Sequence, residues 1–265
     1  MLATTTMLAL SFLAQEQPPA KRDNPLTAAE RKQIAEDLGK TIAETARAIE
    51  KDADNSRAIS ARADALFFSG KFKESVKDYD RLVELDRRLD ASHWRRGIAY
   101  FYAGLFDKAA GQFERYHVFD NVDRENGIWR YLSQYKAKGR DHARKGLLKY
   151  RKDDREPFPS VYGLFAGEMK PEQILKQIKD AKISATEREK RVFYAELYIG
   201  LNEFVEGRKN SAESHLRKAV ATKWPRKAGF GPNYMWHVGR VQLAALVKER
   251  LRKKADVKER TEKTP

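Results

Sequence analysis

One pattern is written twice in this chain, 34 residues apart, and it limits the fold more than any other feature. Ala63, Leu66, Gly70, Phe72, Ser75 and Tyr79 fall on Gly97, Tyr100, Gly104, Phe106, Ala109 and Phe113. Small, large apolar, glycine, aromatic, small and aromatic positions therefore recur at fixed offsets. A unit of this length cannot bury its apolar face alone, so two antiparallel helices form each unit and neighbouring units must stack. The small residues let the paired helices approach. Gly70 and Gly104 sit where a first helix ends and a left-handed residue turns the chain.

The period and residue types resemble the tetratricopeptide repeat. The expectation is an all-α fold: a tetratricopeptide-like helical-hairpin superhelix over residues 27–253, with a degenerate middle and a C-terminal capping helix. Clear repeats are expected at 56–89, 90–123 and about 193–226. Their helices should lie near 57–69 and 72–85, then 91–103 and 106–119. In the last repeat Gly200, Gly207, Ala212, Leu216 and Ala219 restore the spacing. Between them, residues 124–192 span about two repeat lengths. Trp129, Leu132 and Tyr135 make a first-helix stripe, Gly139 a turn, and Ala143, Leu147 and Leu148 a short second helix. Pro157 and Pro159 interrupt the pattern; short helices should follow around Val161–Phe165 and from Pro171 to about Ala181. Ser184 with Glu187 reads as a capping box before a long helix. A helix from about Pro232 to Lys253 carries Val238, Val241, Ala245 and Leu246 and should lie over the last repeat.

At the other end, Met7–Ala14 is the apolar part of a segment, 1–14, that reads as a secretory signal peptide. Residues 15–26 read as a Pro-containing linker. Thr27 and Glu30 form a capping box, and Ile34, Leu38, Ile42, Ala46 and Ile49 draw one apolar stripe. That helix, 28–51, either caps the stack or offers its stripe to a second copy as a homodimer contact. Residues 254–265 read as a basic, disordered tail.

The chain has no cysteine, which excludes disulfides and thiolate metal sites. Its net charge of +15 comes from three stretches, 136–155, 217–227 and 248–263, on an otherwise neutral body. Such patches attract polyanions. Lys136, Lys138, Arg140, Arg144, Lys145, Lys149, Arg151 and Lys152 are the candidate contacts for an anionic polymer or lipid. Nucleic acid is not the expected partner there, because only Tyr135 and Tyr150 offer stacking faces beside the run.

A more specific likeness lies in the order of HWRRGIAYFYAGLFDKAAGQFERY, IWRYLSQYKAKGRDHARKGLL, VYGLFAGEMKPEQIL and FYAELYIGLNEFVEGRKNSAESHLRKAV. Over about 57–221 the chain resembles the NlpI-type tetratricopeptide lipoproteins of Gram-negative envelopes, without their lipobox cysteine. The resemblance implies a periplasmic, non-catalytic adaptor that docks cell-wall hydrolases or a tail-specific protease, and a dimer through N-terminal helices. In tetratricopeptide folds the first helix of each unit lines a concave groove. Mapped here, those positions are Arg57, Ser60, Asp64, Phe67 and Phe68, then Ala91, Trp94, Ile98, Phe101 and Tyr102, with Arg95 as a flanking charge. Tyr194, Leu197, Leu201 and Phe204 are their equivalents in the last repeat, where burial under the C-terminal helix is expected. Aromatic rings in a groove suit an amphipathic helix or extended peptide; the other reading is that Trp94, Ile98 and Phe101 are core.

His93, His117, His142, His215 and His237 are scattered without ligand spacing and read as packing or surface residues. No motif suggests a cofactor or a catalytic nucleophile. The expected function is a scaffold that binds proteins. A cytoplasmic basic repeat protein associated with nucleic acid or another polyanion is the alternative.

Overall fold

A computed structural model describes residues 24–262. The signal-peptide reading of 1–14, most of the 15–26 linker and the last three residues lie outside them. The chain is helical, and consecutive helices pack on one another as hairpins. Helix α1 (Ala28–Lys51) starts on a complete capping box: the Thr27 hydroxyl accepts from Glu30 N at 3.1 Å, and Thr27 N donates to the Glu30 carboxylate at 2.9 Å. It lies against α2 (Ser56–Phe68), with Ile34 and Ile49 on the core and the rest of its stripe half-buried.

Helix α2 pairs with α3 (Phe72–Leu85), and α5 (Trp94–Tyr102) with α6 (Phe106–Phe119). The turns between them carry Gly70 at φ +78° and Gly104 at φ +80°, and Gly207 repeats this at φ +79° between α11 (Ala185–Val205) and α12 (Lys209–Ala221). A β-carbon at these positions would force an L residue into a region it rarely adopts. The small positions inside the hairpins act differently. A β-carbon on Gly97 would come within 2.6 Å of the Phe113 ring, and one on Gly200 within 2.7 Å of Leu216. Ala63 and Ala109 are fully buried.

The expected single helix over 91–103 is instead broken into a short α4 (Leu89–Ser92) and α5. His93 is the hinge: its buried ring caps α5 by accepting from Arg96 N at 3.2 Å and packs edge-on against Tyr79. The middle of the chain holds α7 (Arg124–Lys138), the short α8 (Arg140–Lys145), α9 (Phe158–Ala166) and α10 (Pro171–Asp180). Leu147 and Leu148 fall beyond α8 rather than within it. Pro157 and Pro159 begin α9 rather than merely breaking a pattern, since a first turn does not need their missing amides. Ahead of α11 only half of the second capping box forms. Ser184 accepts from Glu187 N at 3.2 Å, but the Glu187 carboxylate is held by Lys190 and Arg191.

After a 3-10 turn at Trp224–Arg226 the chain enters α13 (Phe230–Glu262), which packs on α12 and continues through the stretch read as a tail. Val238, Val241 and Leu246 are buried, whereas Ala245 is exposed. Helix α13 also touches α2, where Arg240 donates to the Phe68 carbonyl at 2.5 Å. Arg226 pairs with Glu30 at 3.2 Å, and Leu26 is buried beside Val220 and Leu243. The two ends of the array therefore meet, and its inner face becomes a hollow.

Candidate functional site

The hollow has a filled part and an open part. Over α2 and α5 it is filled by the first turns of α13. Tyr234 stacks on Phe67 at 5.3 Å, His237 on Phe68 at 4.0 Å, and Tyr234 meets Trp94 edge-on at 4.9 Å. Burying an aromatic side chain this way contributes about 1.5–3 kcal/mol, so rings that would be costly in water are covered by rings from the same chain.

This placement sorts the groove residues expected from the sequence. Phe67, Ile98 and Phe101 are core, the last packed edge-on against Trp129. Tyr102 is half-buried between Phe67 and Phe72, and Ala91 is half-buried. Asp64 forms a salt bridge with Arg95 at 2.8 Å and accepts from the Tyr79 hydroxyl at 2.5 Å; Ser60 accepts from Arg95 at 3.1 Å. Arg57 alone among them is well exposed. In the last hairpin Tyr194, Leu197 and Leu201 are buried and Phe204 partly so.

The open part is a cavity of about 410 Å³ between α5, α6, α7, α11 and the start of α13. Trp94, Tyr116, Trp129, Tyr194 and Trp224 give it aromatic walls, and Ile98 and Met235 apolar ones. The start of α7 supplies its charges. Asp123 caps that helix by accepting from Glu125 N at 3.0 Å, which points both acids into one corner. Arg155, from the loop before α9, donates to Asp123 at 3.1 Å, to Glu125 at 2.6 Å and to Asp154 at 3.2 Å. The Tyr198 hydroxyl also donates to Glu125, and Trp129 Nε1 to Tyr198 at 3.2 Å. Burial pushes the Glu125 carboxyl up to about 7, against the pull of Arg155, and Asp123 adds to the rise. Burial likewise raises Asp123. Lys190 also lines the cavity and is held by Glu187 at 3.1 Å.

The sequence reading missed Asp123, Glu125, Arg155 and Trp224. Two acids in the first turn of a helix are ordinary there, and Arg155 comes from an irregular loop with no period. Two apolar residues beside the cavity are exposed. Phe119 (63%) lies 5.5 Å from Tyr116, and Phe230 (57%) lies 6.4 Å from Trp94.

Three of the eight residues of the basic run meet partners within the fold. Lys138 reaches Asp107 at 3.8 Å, Arg140 reaches Glu206 at 2.9 Å, and Lys136 lies over the Phe106 and Phe204 rings. Arg144, Lys145, Lys149, Arg151 and Lys152 are exposed. Among the described residues no helix is long and apolar enough to cross a membrane. No family model matches the sequence.

Proposed function

We propose that this chain is a tetratricopeptide-like adaptor, without chemistry of its own, that holds a segment of a partner protein in its hollow. The observation that carries this reading is the aromatic-walled cavity with two exposed phenylalanines beside it. A segment lying across Phe119 and Phe230 could lower one side chain between Trp94 and Tyr194. Buried aromatic pockets ringed by apolar contacts are where binding free energy concentrates. The 34-residue period and the hairpins joined at Gly70, Gly104 and Gly207 support the superhelical repeat class. The likeness to envelope lipoproteins supports an exported adaptor serving a cell-wall hydrolase or a protease.

Peptides selected from a random library on the intact chain test it. Phe119→Ser and Phe230→Ser change exposed residues, so folding is expected to be kept. Each should weaken the selected peptides at least tenfold. Peptides that bind equally to both variants would remove the cavity from the binding surface.

A further inference from the structure

The cavity also indicates what it would hold, if it is the binding site argued above. Six of its lining residues are aromatic, and π faces attract a cation placed within about 6 Å of a ring centroid. The chain already uses that contact nearby: the Arg155 guanidinium lies 4.3 Å from the Phe158 centroid and 6.0 Å from that of Tyr194. Among the described residues, the corner beside those walls is short of positive charge. Three carboxylates, on Asp123, Glu125 and Asp154, share the single guanidinium of Arg155. Lys190 does not restore the balance, because Glu187 holds it. Arg191 shares that same Glu187 and reaches Glu156 at 3.8 Å; the Arg124 guanidinium lies over the Tyr150 ring with its Nη1 buried and unpartnered, and counting it still leaves three carboxylates against two guanidiniums.

We infer that the hollow takes a lysine side chain of a partner protein, its methylenes between the rings and its ammonium at Asp123 and Glu125. Such a guest matches the site in each part. The apolar stem suits Ile98, Met235 and the ring walls. Its charged head supplies the positive charge the carboxylates lack, and the volume of about 410 Å³ accommodates one long side chain with neighbouring backbone. An acidic side chain would meet the carboxylates, and a neutral one would leave them as they are. Burial is the first cause of the upward displacement of the Glu125 carboxyl, to about 7, and the neighbouring Asp123 carboxylate adds to it, so a cation placed there would favour the charged form. A protein-borne lysine, rather than a free amine, is favoured by Phe119 and Phe230, which would contact the residues on either side of it.

The test uses three probes on the full chain: Nα-acetyl-lysine methylamide, its norleucine analogue and its glutamate analogue. Binding is followed by calorimetry and by the fluorescence of Trp94, Trp129 and Trp224. The lysine probe should bind at least tenfold more tightly than the other two. Asp123→Asn keeps the helix cap, since asparagine caps as well as aspartate, and should cut lysine binding about tenfold with an unchanged melting temperature. Lysine-containing pentapeptides should bind more tightly than the single-residue probe and lose that gain in Phe119→Ser; equal binding would point to a free amine and overturn the protein-borne guest. Equal affinity for norleucine, or a preference for glutamate, overturns the cationic guest. So does silence from all three probes. If library-selected peptides still need Phe119 and Phe230 in that case, the adaptor reading survives; if they do not, both fail.

Discussion

Arg95 and Arg155 are built alike and end differently. Arg95 lies over Tyr79 at 5.5 Å and Phe230 at 5.2 Å; Arg155 lies over Phe158 and Tyr194. Each meets a carboxylate that a buried tyrosine also holds, Asp64 with Tyr79 and Glu125 with Tyr198. Arg95 has one carboxylate, and α13 lays Tyr234 over that region, with its hydroxyl 3.3 Å from that of Tyr79. Arg155 has three carboxylates and borders the cavity. A balanced pair under cover is a fastening between helices. Surplus charge beside open space is a place for something else.

The largest expected effect tests the fastening. Asp64→Ala removes the one carboxylate from a guanidinium that is only 20% exposed. Stranding a buried charge typically costs about 3–5 kcal/mol. Chemical denaturation of the variant should show a loss in that range, while lysine-probe affinity measured below the unfolding transition stays unchanged. A loss under about 1 kcal/mol would mean that water already reaches Arg95, and the contrast with Arg155 would disappear.

The hairpins beneath the two clusters should, by contrast, behave as equals. Gly97 lies on α5, which carries Arg95; Gly200 lies on α11, which carries Tyr194 and Tyr198. Added β-carbons meet Phe113 at 2.6 Å and Leu216 at 2.7 Å. Overpacking of this kind costs about 1–3 kcal/mol. Gly97→Ala and Gly200→Ala should each lower stability by about 2–3 kcal/mol in thermal or denaturant unfolding. If only one does, the two hairpins are not held by the same contact.

That equality explains what was readable from the chain. The hairpins rest on side-chain size at fixed intervals, so Gly97 with Phe113 and Gly200 with Leu216 could be placed from the spacing that recurs inside each unit. The helix break at His93 could not, because it depends on a ring finding both Arg96 N and Tyr79 across the structure. The closure of the array was likewise hidden. It needs Tyr234 and His237 to meet Phe67 and Phe68 from the far end of the chain, and no interval records that. Closure is also what moved Phe67 from a groove to the core, while Phe101 was taken there by Trp129 of α7. The open site draws Asp123, Glu125 and Arg155 from a helix start and a loop, and periodicity says nothing about either.

The finest distinction between the clusters is the sign of their response to pH. His93 packs on Tyr79 beside Arg95, and burial, with Arg95 and Arg96, holds its imidazole down at about 3 against an ordinary 6.5; Asp90 pulls the other way. The unfolded chain then binds the proton more readily, so the stability from neutral His93 is present above 6.5 and is lost as pH falls toward 3. Glu125 does the reverse. Its carboxyl, facing Arg155, Asp123, Asp154 and Tyr198, titrates near 7 rather than 4.5, so the unfolded chain releases its proton first and stability falls as pH rises from 4.5 to 7. Each shifted unit is about 1.4 kcal/mol. Relative to wild type, His93→Asn, which retains a capping acceptor, should gain about 2 kcal/mol when pH is lowered from 7.5 to 5. Glu125→Gln should gain about 2 kcal/mol when pH is raised from 5 to 8. Unfolding curves at four pH values measure both, and slopes of the same sign would mean that one of the two groups is solvated, which for Glu125 would take away the buried charge that sets this corner apart.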